Sequence, residues 1–316
     1  MALDEQSSAM LQAMSSLAPR PLEQLSIAEA REFANNFPVL GGEPVASVED
    51  LHAALPGRKL RIRLYRPSDG RLPVVVFFHG GGWTLSGVES YDAVCRQLAN
   101  RSGCVIAALD YRLSPEHKFP AAVDDGTDAI SWLIANAEDL DLDGSRIAVA
   151  GDSAGGNLAT AVALRDSSDT LRRISFQALI YPVTEYEFDR PSMRSDWSGY
   201  PLSADTVKWF WSHYLAAEAD ASNPLVAPMT APDLSRMPAT LVITAEHDPV
   251  RDQAEAYSRR LSDEGVAVTL SPYLGVFHGF FQMLGMLDKA SEAVEEVGSA
   301  LRLALAATDA QADSRP

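Results

Sequence analysis

Cysteine is scarce in this sequence, which has only Cys95 and Cys104 among its 316 residues. A disulfide framework or a thiolate metal site needs more cysteines than these. We therefore expect both thiols to be reduced and buried, Cys95 on a helix and Cys104 on the strand after it. The sequence indicates no metal ion and no other cofactor.

Lysine is scarce as well, and acidic residues dominate the charge. Asp and Glu number 43 against 26 Lys and Arg, which gives a formal net charge of −17. A charge of this sign repels phosphate backbones and anionic lipid surfaces, so nucleic acid and membrane surfaces are disfavoured as partners. A small neutral substrate suits the chain better. Adaptation to high salt is an alternative interpretation of the acidic surface, and the composition leaves it open.

Long hydrophobic runs are also missing. No apolar run approaches the roughly 18 residues that a membrane-spanning helix needs, and the first residues lack the basic segment of a signal peptide. These observations predict a cytoplasmic protein without a membrane span. Hydrophobic residues make up 47% and charged residues 22%, which predicts a folded globular chain. The oligomeric state is left open, and a homodimer is compatible with the sequence.

What the sequence does contain, after Pro73, is a series of short apolar segments that alternate with helical segments. Uninterrupted runs rich in Val and Ile indicate strands of a parallel sheet that is buried on both faces. Residues 59–66 alternate instead between apolar and polar side chains, which is typical of a half-exposed antiparallel strand near a sheet edge. The predicted fold class is α/β. The apolar segments are residues 74–78, 104–109, 147–150, 176–181, 241–244 and 266–270.

Two parts of the chain stand outside this pattern of strands. The connection between Tyr181 and Thr240 is far longer than a simple crossover, which indicates an insertion. Near the N-terminus, Ser26 and Glu29 form a capping box that opens a helix. We divide the chain into a helical cap arm (1–42), a first core part (43–183), a cap insertion (184–236), a second core part (237–306) and a flexible tail (307–316).

The insertion is rich in aromatic residues, and Ser203 is the expected N-cap of a helix that carries four of them. Either this run packs against the core, or it joins the N-terminal arm in a cap over an apolar pocket, and the sequence leaves both interpretations open. The candidates for residues that line such a pocket are Trp83, Trp209, Tyr214 and Phe280. The aromatic residues of the insertion include Trp197, Tyr200, Trp209, Phe210, Trp211 and Tyr214.

A serine stands at the junction between a predicted strand and a helical segment. The strand ends near Ala150 and runs into Gly151-Asp152-Ser153-Ala154-Gly155. This is the pattern of a nucleophile elbow, in which a tight turn forces the serine to positive φ and small neighbours let strand and helix approach closely. Ser153 is therefore the candidate nucleophile. Asp152 is expected to point away from it and to orient loops.

A serine hydroxyl needs a histidine as general base and a carboxylate that orients this histidine. With an elbow of this kind the chain order is serine, acid, histidine. Of six histidines, only His278 follows the candidate acids in a loop beyond the last strand. Asp248 lies in the loop after residues 241–244, whereas Glu246 is still at the strand end and Asp252 is already within the next helix. The sequence thus predicts a triad of Ser153, Asp248 and His278.

An oxyanion that forms on the substrate needs hydrogen-bond donors that are already in place. Three successive glycines in His79-Gly80-Gly81-Gly82-Trp83 follow the strand 74–78 and allow backbone N–H groups to turn inward. Such a loop could also cradle a phosphate, but no Gly-Lys-Ser/Thr follows and the negative charge is unsuited to it. The N–H of Ala154, directly after the nucleophile, is a further expected donor.

Together these motifs resemble those of the hormone-sensitive-lipase-like bacterial carboxylesterases of the α/β-hydrolase superfamily, over about residues 66–281. The resemblance implies a mostly parallel eight-stranded sheet flanked by helices, a helical cap, and ester hydrolysis without a cofactor. It also implies that Gly81 and Gly82 join Ala154 as oxyanion donors. Ser114 and Val250 depart from the usual alanine and leucine. The motifs are residues 79–83 (HGGGW), 110–122 (DYRLSPEHKFPAA), 151–156 (GDSAGG), 248–249 (DP) and 278–280 (HGF).

The predicted function is that of a serine carboxylesterase, which hydrolyses short- to medium-chain acyl esters through an acyl-enzyme intermediate. An amidase or aryl-acylamidase that uses the same triad is an alternative, because the motifs do not separate an alcohol from an amine leaving group. A non-catalytic ligand receptor is a second alternative, as in the plant gibberellin receptor, which resembles this family but lacks the histidine. The presence of His278 argues against a receptor. The sequence does not determine acyl length, enantiomer preference or physiological substrate.

Overall fold

The computed structural model describes residues 2–17 and 20–306. The predicted flexible tail, residues 307–316, lies outside the described residues. Within them, eight strands form one sheet in the order β1-β2-β4-β3-β5-β6-β7-β8. The strands are β1 (Ser47–Leu55), β2 (Arg58–Arg66), β3 (Leu72–Phe78), β4 (Val105–Leu109), β5 (Leu142–Asp152), β6 (Ile174–Ile180), β7 (Ala239–His247) and β8 (Val268–Phe277).

Most neighbouring strands of this sheet are parallel. The antiparallel pairs are β1 with β2 and β2 with β4, and the five remaining pairs run parallel. The parallel part has its carboxyl ends along one edge, where loops that follow different strands meet. The predicted α/β class and the mostly parallel eight-stranded sheet are therefore confirmed.

The two edge strands differ most from the sequence prediction. The pattern missed β1, whose sequence SVEDLHAAL carries three titratable side chains and is mostly exposed because the strand lies at the sheet edge. At the opposite edge, β8 extends to Phe277 rather than ending at residue 270, although it contains Pro272 and Gly275. An edge strand tolerates proline because one row of its backbone groups needs no partner strand.

Helices cover both faces of the sheet. Successive residues of β3 point to opposite sides, so Val74, Val76 and Phe78 join one buried cluster whereas Val75 and Phe77 join the other. This two-sided burial explains why the parallel strands have continuous apolar sequences. The flanking helices are α3 (Asp92–Ser102), α4 (Ala121–Ala135), α5 (Ala154–Ser167), α7 (Arg251–Asp263) and α8 (Asp288–Ala306).

Both cysteines are free and buried, as expected. Cys95 lies on α3, but Cys104 lies one residue before β4 rather than on it.

Three further helices belong to the N-terminal arm and the insertion. They are α1 (Glu5–Leu17), α2 (Ile27–Asn35) and α6 (Ala204–Tyr214). The predicted capping box of Ser26 and Glu29 is present at α2, and Ser203 caps α6 by accepting a hydrogen bond from the backbone N–H of Thr206. The arm and the insertion contact each other, since the Thr206 hydroxyl donates to the Glu23 carboxylate at 2.8 Å.

Candidate active site

Ser153 lies at the turn between β5, which ends at Asp152, and α5, which begins at Ala154. Its backbone has φ 55° and ψ −120°, a conformation that is unfavourable for a residue with a Cβ. The neighbouring glycines are required sterically: a Cβ on Gly151 would lie 2.4 Å from the Gly155 carbonyl oxygen, and one on Gly155 would lie 2.0 Å from the Phe78 carbonyl oxygen. The close approach of strand and helix thus keeps Ser153 in its strained turn.

A continuous hydrogen-bonded chain links the three residues of the predicted triad. His278 Nε2 is 2.8 Å from the Ser153 hydroxyl oxygen, and His278 Nδ1 is 2.7 Å from Asp248 Oδ2. Asp248 is fully buried after β7, and its other carboxylate oxygen accepts a hydrogen bond from the Val250 N–H at 2.8 Å. The backbone N–H of His278 donates to the His247 carbonyl at 3.2 Å, which ties the loop after β8 to the end of β7.

The two other acids that the sequence places near Asp248 have different partners. Glu246 accepts a hydrogen bond from the Gly275 N–H at 2.7 Å. Asp252 accepts from the Ser192 N–H at 2.8 Å and binds the Arg251 guanidinium. The position of each acid relative to the strand end decides which one contacts His278. Only Asp248, in the loop after the strand, is directed towards His278.

The glycine-rich loop after β3 adopts conformations that favour glycine. Gly81 has φ 105° and Gly82 has φ 59°. The Gly81 carbonyl accepts hydrogen bonds from the N–H groups of Thr84 and Leu85, which close the loop on itself. A Cβ on Gly82 would lie 2.0 Å from the Phe210 ring, so this ring packs directly on the loop backbone. Gly81, Gly82 and Ala154 line the same cavity as Ser153 and His278.

The side chain of His79 packs against this loop and supports it. Its Nδ1 is 2.7 Å from the Gly80 carbonyl oxygen, and its ring stacks on Tyr111 with centroids 4.3 Å apart. Burial lowers the pKa of His79 to about 4. The side chain is therefore neutral near pH 7 and acts as a structural support.

The cavity above Ser153 has a volume of about 850 Å³ and lies between the sheet and the helices of the arm and the insertion. Its walls are largely apolar, which suits the hydrocarbon part of a ligand. The apolar lining residues include Leu22, Leu25, Phe33 and Phe37 from the arm and Trp197, Tyr200, Val207, Phe210 and Trp211 from the insertion.

Of the four candidate pocket residues, only Trp83 lines this cavity, and the prediction was wrong for the others. Trp209 packs beside His213 with ring centroids 4.6 Å apart. Tyr214 is buried behind Trp83 and stacks on it at 4.3 Å. Phe280 packs between Tyr181 and Tyr273, away from the cavity.

The helical period explains why the prediction chose Trp209 and why it missed the residues of α6 that line the cavity. Positions 207, 210 and 211 of α6 are three and four residues apart, so Val207, Phe210 and Trp211 share the face that lines the cavity. Trp209 is two residues from either Val207 or Trp211 and points elsewhere. The spacing in the sequence groups Phe210 with Val207 and Trp211 on one face, but it does not show which face of α6 turns towards Ser153.

Two features are absent from the described ranges, 2–17 and 20–306. They contain no group of three or more His, Cys, Asp or Glu side chains placed to hold a metal ion. None of the helices in these ranges is long and apolar enough to cross a membrane.

The strand order and the serine at the β5–α5 turn define the class of protein to which the chain belongs, the α/β hydrolases. A family model described as an alpha/beta hydrolase fold matches residues 75–282. The chain is 37% identical to an ethyl acetate hydrolase of Pseudomonas putida over 291 residues, which are 89% of this chain and 92% of that one. It is 37% identical to an arylesterase of Saccharolobus solfataricus over 82% of this chain and 84% of that one.

Solved structures lead to the same family. An esterase from the archaeon Pyrobaculum calidifontis superposes with a TM-score of 0.89 at 39% identity, covering 96% of this chain and 99% of that one. A thermostable esterase from Pseudomonas putida superposes with a TM-score of 0.88 at 32% identity, covering 96% and 98%. The chain belongs to the hormone-sensitive-lipase-like carboxylesterase family and is a carboxylic ester hydrolase.

Proposed function

We propose that this esterase acts through an acyl-enzyme on Ser153, with His278 as general base and Asp248 as the carboxylate that orients it. The observation that carries the proposal is the chain of two hydrogen bonds, 2.8 Å from Ser153 to His278 and 2.7 Å from His278 to Asp248. These distances are within the range that proton transfer requires. The buried Asp248 carboxylate favours the tautomer with hydrogen on Nδ1 and stabilises the imidazolium that forms.

The reaction then proceeds in two stages. The Ser153 oxygen attacks the ester carbonyl carbon while its proton passes to His278 Nε2, and the tetrahedral intermediate collapses as the imidazolium returns this proton to the leaving alcohol. Water, deprotonated by the same nitrogen, attacks the acyl-enzyme, and the imidazolium returns this proton to the Ser153 oxygen as the carboxylic acid leaves. The N–H groups of Gly81, Gly82 and Ala154 are proposed to bind the oxyanion in both stages, because they line the cavity beside Ser153.

We further propose that the substrates are neutral esters with short to medium acyl chains. The cavity is largely apolar and of limited volume, about 850 Å³. The net charge of −17 disfavours anionic substrates. A relative of similar length is an ethyl acetate hydrolase, which is consistent with a small substrate.

The division of the chain supports a role for the arm and the insertion as a cap. Residues 1–42 and 184–236 together supply most of the apolar wall of the cavity, whereas residues 43–183 and 237–306 supply the sheet and the triad. A homodimer and a cytoplasmic location stay predictions of the sequence, which sedimentation and fractionation of the native protein would test.

Substitution of the nucleophile tests the proposed mechanism. Ser153→Ala is expected to lower kcat for a p-nitrophenyl ester by about 10⁶-fold, to the level that binding and the oxyanion donors alone support. The variant should also fail to react with an organophosphonate, which labels an activated serine covalently. Ser258→Ala, a buried serine on α7, is the matched control and should retain activity and labelling.

A retained rate in folded Ser153→Ala would contradict the assignment of the nucleophile.

A graded series of p-nitrophenyl esters tests the acyl preference, and the fastest rates on long chains would contradict the proposed size limit. Rates on matched esters and anilides compare an alcohol with an amine as the leaving group. Faster cleavage of the anilides would make amides the preferred substrates of the same triad.

A further inference from the structure

A buried serine of the insertion contacts the loop that carries the proposed acid. Ser192 is 2% exposed and does not line the cavity. Its hydroxyl donates a hydrogen bond to the Pro249 carbonyl at 2.8 Å and accepts one from the backbone N–H of Asp252 at 3.2 Å. Its own backbone N–H donates to Asp252 Oδ2 at 2.8 Å. Ser192 therefore makes three hydrogen bonds to the chain directly after Asp248.

These contacts lie at the start of helix α7, where the first backbone N–H groups need acceptors from outside the helix. The helix begins at Arg251, and the residue before it is Val250, whose alkyl side chain cannot accept a hydrogen bond. Asp248 accepts with Oδ1 from the Val250 N–H at 2.8 Å and with its carbonyl from the Arg251 N–H at 3.2 Å. The Ser192 hydroxyl accepts from the next N–H, that of Asp252. Ser192 thus takes the role of an N-cap side chain, although it comes from the insertion.

The carboxylate of Asp248 is oriented by this helix start. One of its oxygens binds the Val250 N–H, and the other lies 2.7 Å from His278 Nδ1. If the first turn of α7 moves, the oxygen that faces His278 moves with it. A buried backbone group that loses its partner is unfavourable, so loss of the Ser192 hydroxyl favours a rearrangement of this turn.

The segment 192–200 also contacts the residue directly before the proposed acid. The Ser192 carbonyl accepts a hydrogen bond from Trp197 Nε1 at 2.8 Å, and the Trp197 ring packs edge-on against Tyr200 with centroids 5.2 Å apart. The Tyr200 hydroxyl lies 3.3 Å from His247 Nδ1. This segment therefore holds the acid loop on both sides of the carboxylate.

Two residues of the same segment, Trp197 and Tyr200, belong to the wall of the cavity. The segment thus connects the wall that a substrate touches with the loop that carries the acid. We propose that Ser192 is a positioning residue for Asp248, through which the insertion affects the chemical step as well as the choice of substrate. This inference rests on the triad mechanism proposed above.

Ser192→Ala is the informative substitution, because it removes the hydroxyl and keeps the backbone contacts of the residue. We expect kcat for a p-nitrophenyl ester to fall about 10-fold, less than the roughly 10²-fold cost of moving a reacting group by 1 Å. KM should stay unchanged, since Ser192 does not line the cavity. The acidic limb of the kcat/KM profile should move to lower pH, because a displaced carboxylate stabilises the imidazolium less.

The fold should survive this change, because the insertion has further contacts with α7. Gln253 Oε1 accepts hydrogen bonds from the backbone N–H groups of Thr184 at 2.7 Å and Glu185 at 3.1 Å. The Gln253 carbonyl also accepts from the Thr184 hydroxyl at 3.1 Å. These bonds do not involve Ser192 and hold the insertion on α7 in the variant.

Ser167→Ala is the matched control for the loss of a buried hydroxyl. Ser167 is buried near the far end of α5, and its hydroxyl donates to the Leu164 carbonyl at 2.8 Å, as that of Ser192 does to Pro249. The control should leave kcat and the pH profile unchanged. An equal loss of kcat in both variants would assign the effect to general stability and overturn the proposal.

A double substitution tests whether Ser192 acts through Asp248. In the Asp248→Asn background, adding Ser192→Ala should leave kcat nearly unchanged, because the carboxylate that Ser192 positions is already lost. A further loss of about 10-fold would show an effect that does not pass through Asp248, and it would also overturn the proposal.

Unchanged kcat together with an unchanged acidic limb in folded Ser192→Ala would contradict the positioning role. If this variant does not fold, Tyr200→Phe is the second test, because it removes only the hydroxyl beside His247. It should lower kcat by a smaller factor and move the acidic limb in the same direction, and unchanged values would contradict the role there as well.

Labelling with an organophosphonate distinguishes failure of this inference from failure of the mechanism on which it rests. If Ser153 of the unmodified protein does not react, the proposed mechanism is wrong. If Ser153 reacts equally fast in the unmodified protein and in Ser192→Ala, and kcat is also equal, only the role of Ser192 is wrong.

Discussion

Phe210, a residue of α6, limits the space beside Ser153. Its ring fills the position that a Cβ on Gly82 would occupy, and it lines the cavity that also contains Ser153. Only 8% of Phe210 is exposed, so the ring is held by its surroundings. The residue therefore combines two effects: it restrains the glycine-rich loop and it reduces the volume of the cavity.

Phe210→Ala is expected to shift the preference towards longer or bulkier esters. Removing the ring enlarges the cavity at the loop, and each additional buried methylene of a ligand contributes about 0.8 kcal/mol. The ratio of kcat/KM for a longer p-nitrophenyl ester to that for the acetate should rise about 10-fold. Trp209→Ala is the control, because Trp209 is next to Phe210 on the same helix but does not line the cavity. An equal ratio in both variants would contradict this role of Phe210.

At the scale of elements, Arg31 connects helix α2 of the N-terminal arm to two loops that follow strands of the sheet. Its guanidinium donates to the Thr84 carbonyl at 3.0 Å and to the Ser114 carbonyl at 3.0 Å. It also forms a two-pronged ion pair with Glu116, with distances of 2.8 and 2.7 Å. Thr84 belongs to the turn that closes the glycine-rich loop, so the N-terminal arm and this loop are mechanically linked.

Arg31→Ala is expected to loosen this link and to lower the free energy of unfolding by about 1–3 kcal/mol, because two backbone carbonyls lose charged donors. Activity should become more sensitive to heat than in the unmodified protein, which thermal inactivation and denaturant unfolding would measure. Arg20→Ala is the control, since Arg20 pairs on the surface with Glu29 and is half exposed. Such a surface pair contributes roughly 0–1 kcal/mol. Similar losses in both variants would argue against a special role for Arg31.

For the whole molecule, the buried acid at position 152 links stability to pH. Its folded-state pKa of about 6 is above the unfolded value of 3.8. Between these two pH values the folded protein therefore binds more protons than the unfolded chain. Protonation of Asp152 stabilises the folded state fully below pH 3.8, and this stabilisation is lost as the pH rises through 6. At pH 8 the ionised Asp152 therefore makes the folded protein less stable than it would be with Asp152 protonated.

The expected size of this effect is about 3 kcal/mol, from about two pKa units at 1.36 kcal/mol each. Denaturant unfolding of the unmodified protein and of Asp152→Asn at several pH values would measure it. The difference in stability between them should grow in favour of the substituted protein as pH rises from about 4 to about 7. A difference that is independent of pH would show that Asp152 does not carry this linkage.

The sequence by itself determined the fold class and predicted the nucleophile, base and acid. Gly151 and Gly155 mark a turn that only glycine permits, and chain order selects His278, because these constraints are local or follow from the topology of a parallel sheet. The sequence also indicated that Asp152 orients loops, but not that it contacts Gly80 and Tyr181, which lie far from it along the chain.

The tertiary structure decided which side chains line the cavity and how the arm and the insertion are attached. Trp209, Tyr214 and Phe280 are as aromatic as Phe210, and composition cannot show which of them faces the cavity. That depends on the rotation of α6 about its axis and on the packing of the arm against it, as in the contact between Glu23 and Thr206. Such contacts join residues far apart in the chain, so only the folded arrangement specifies them.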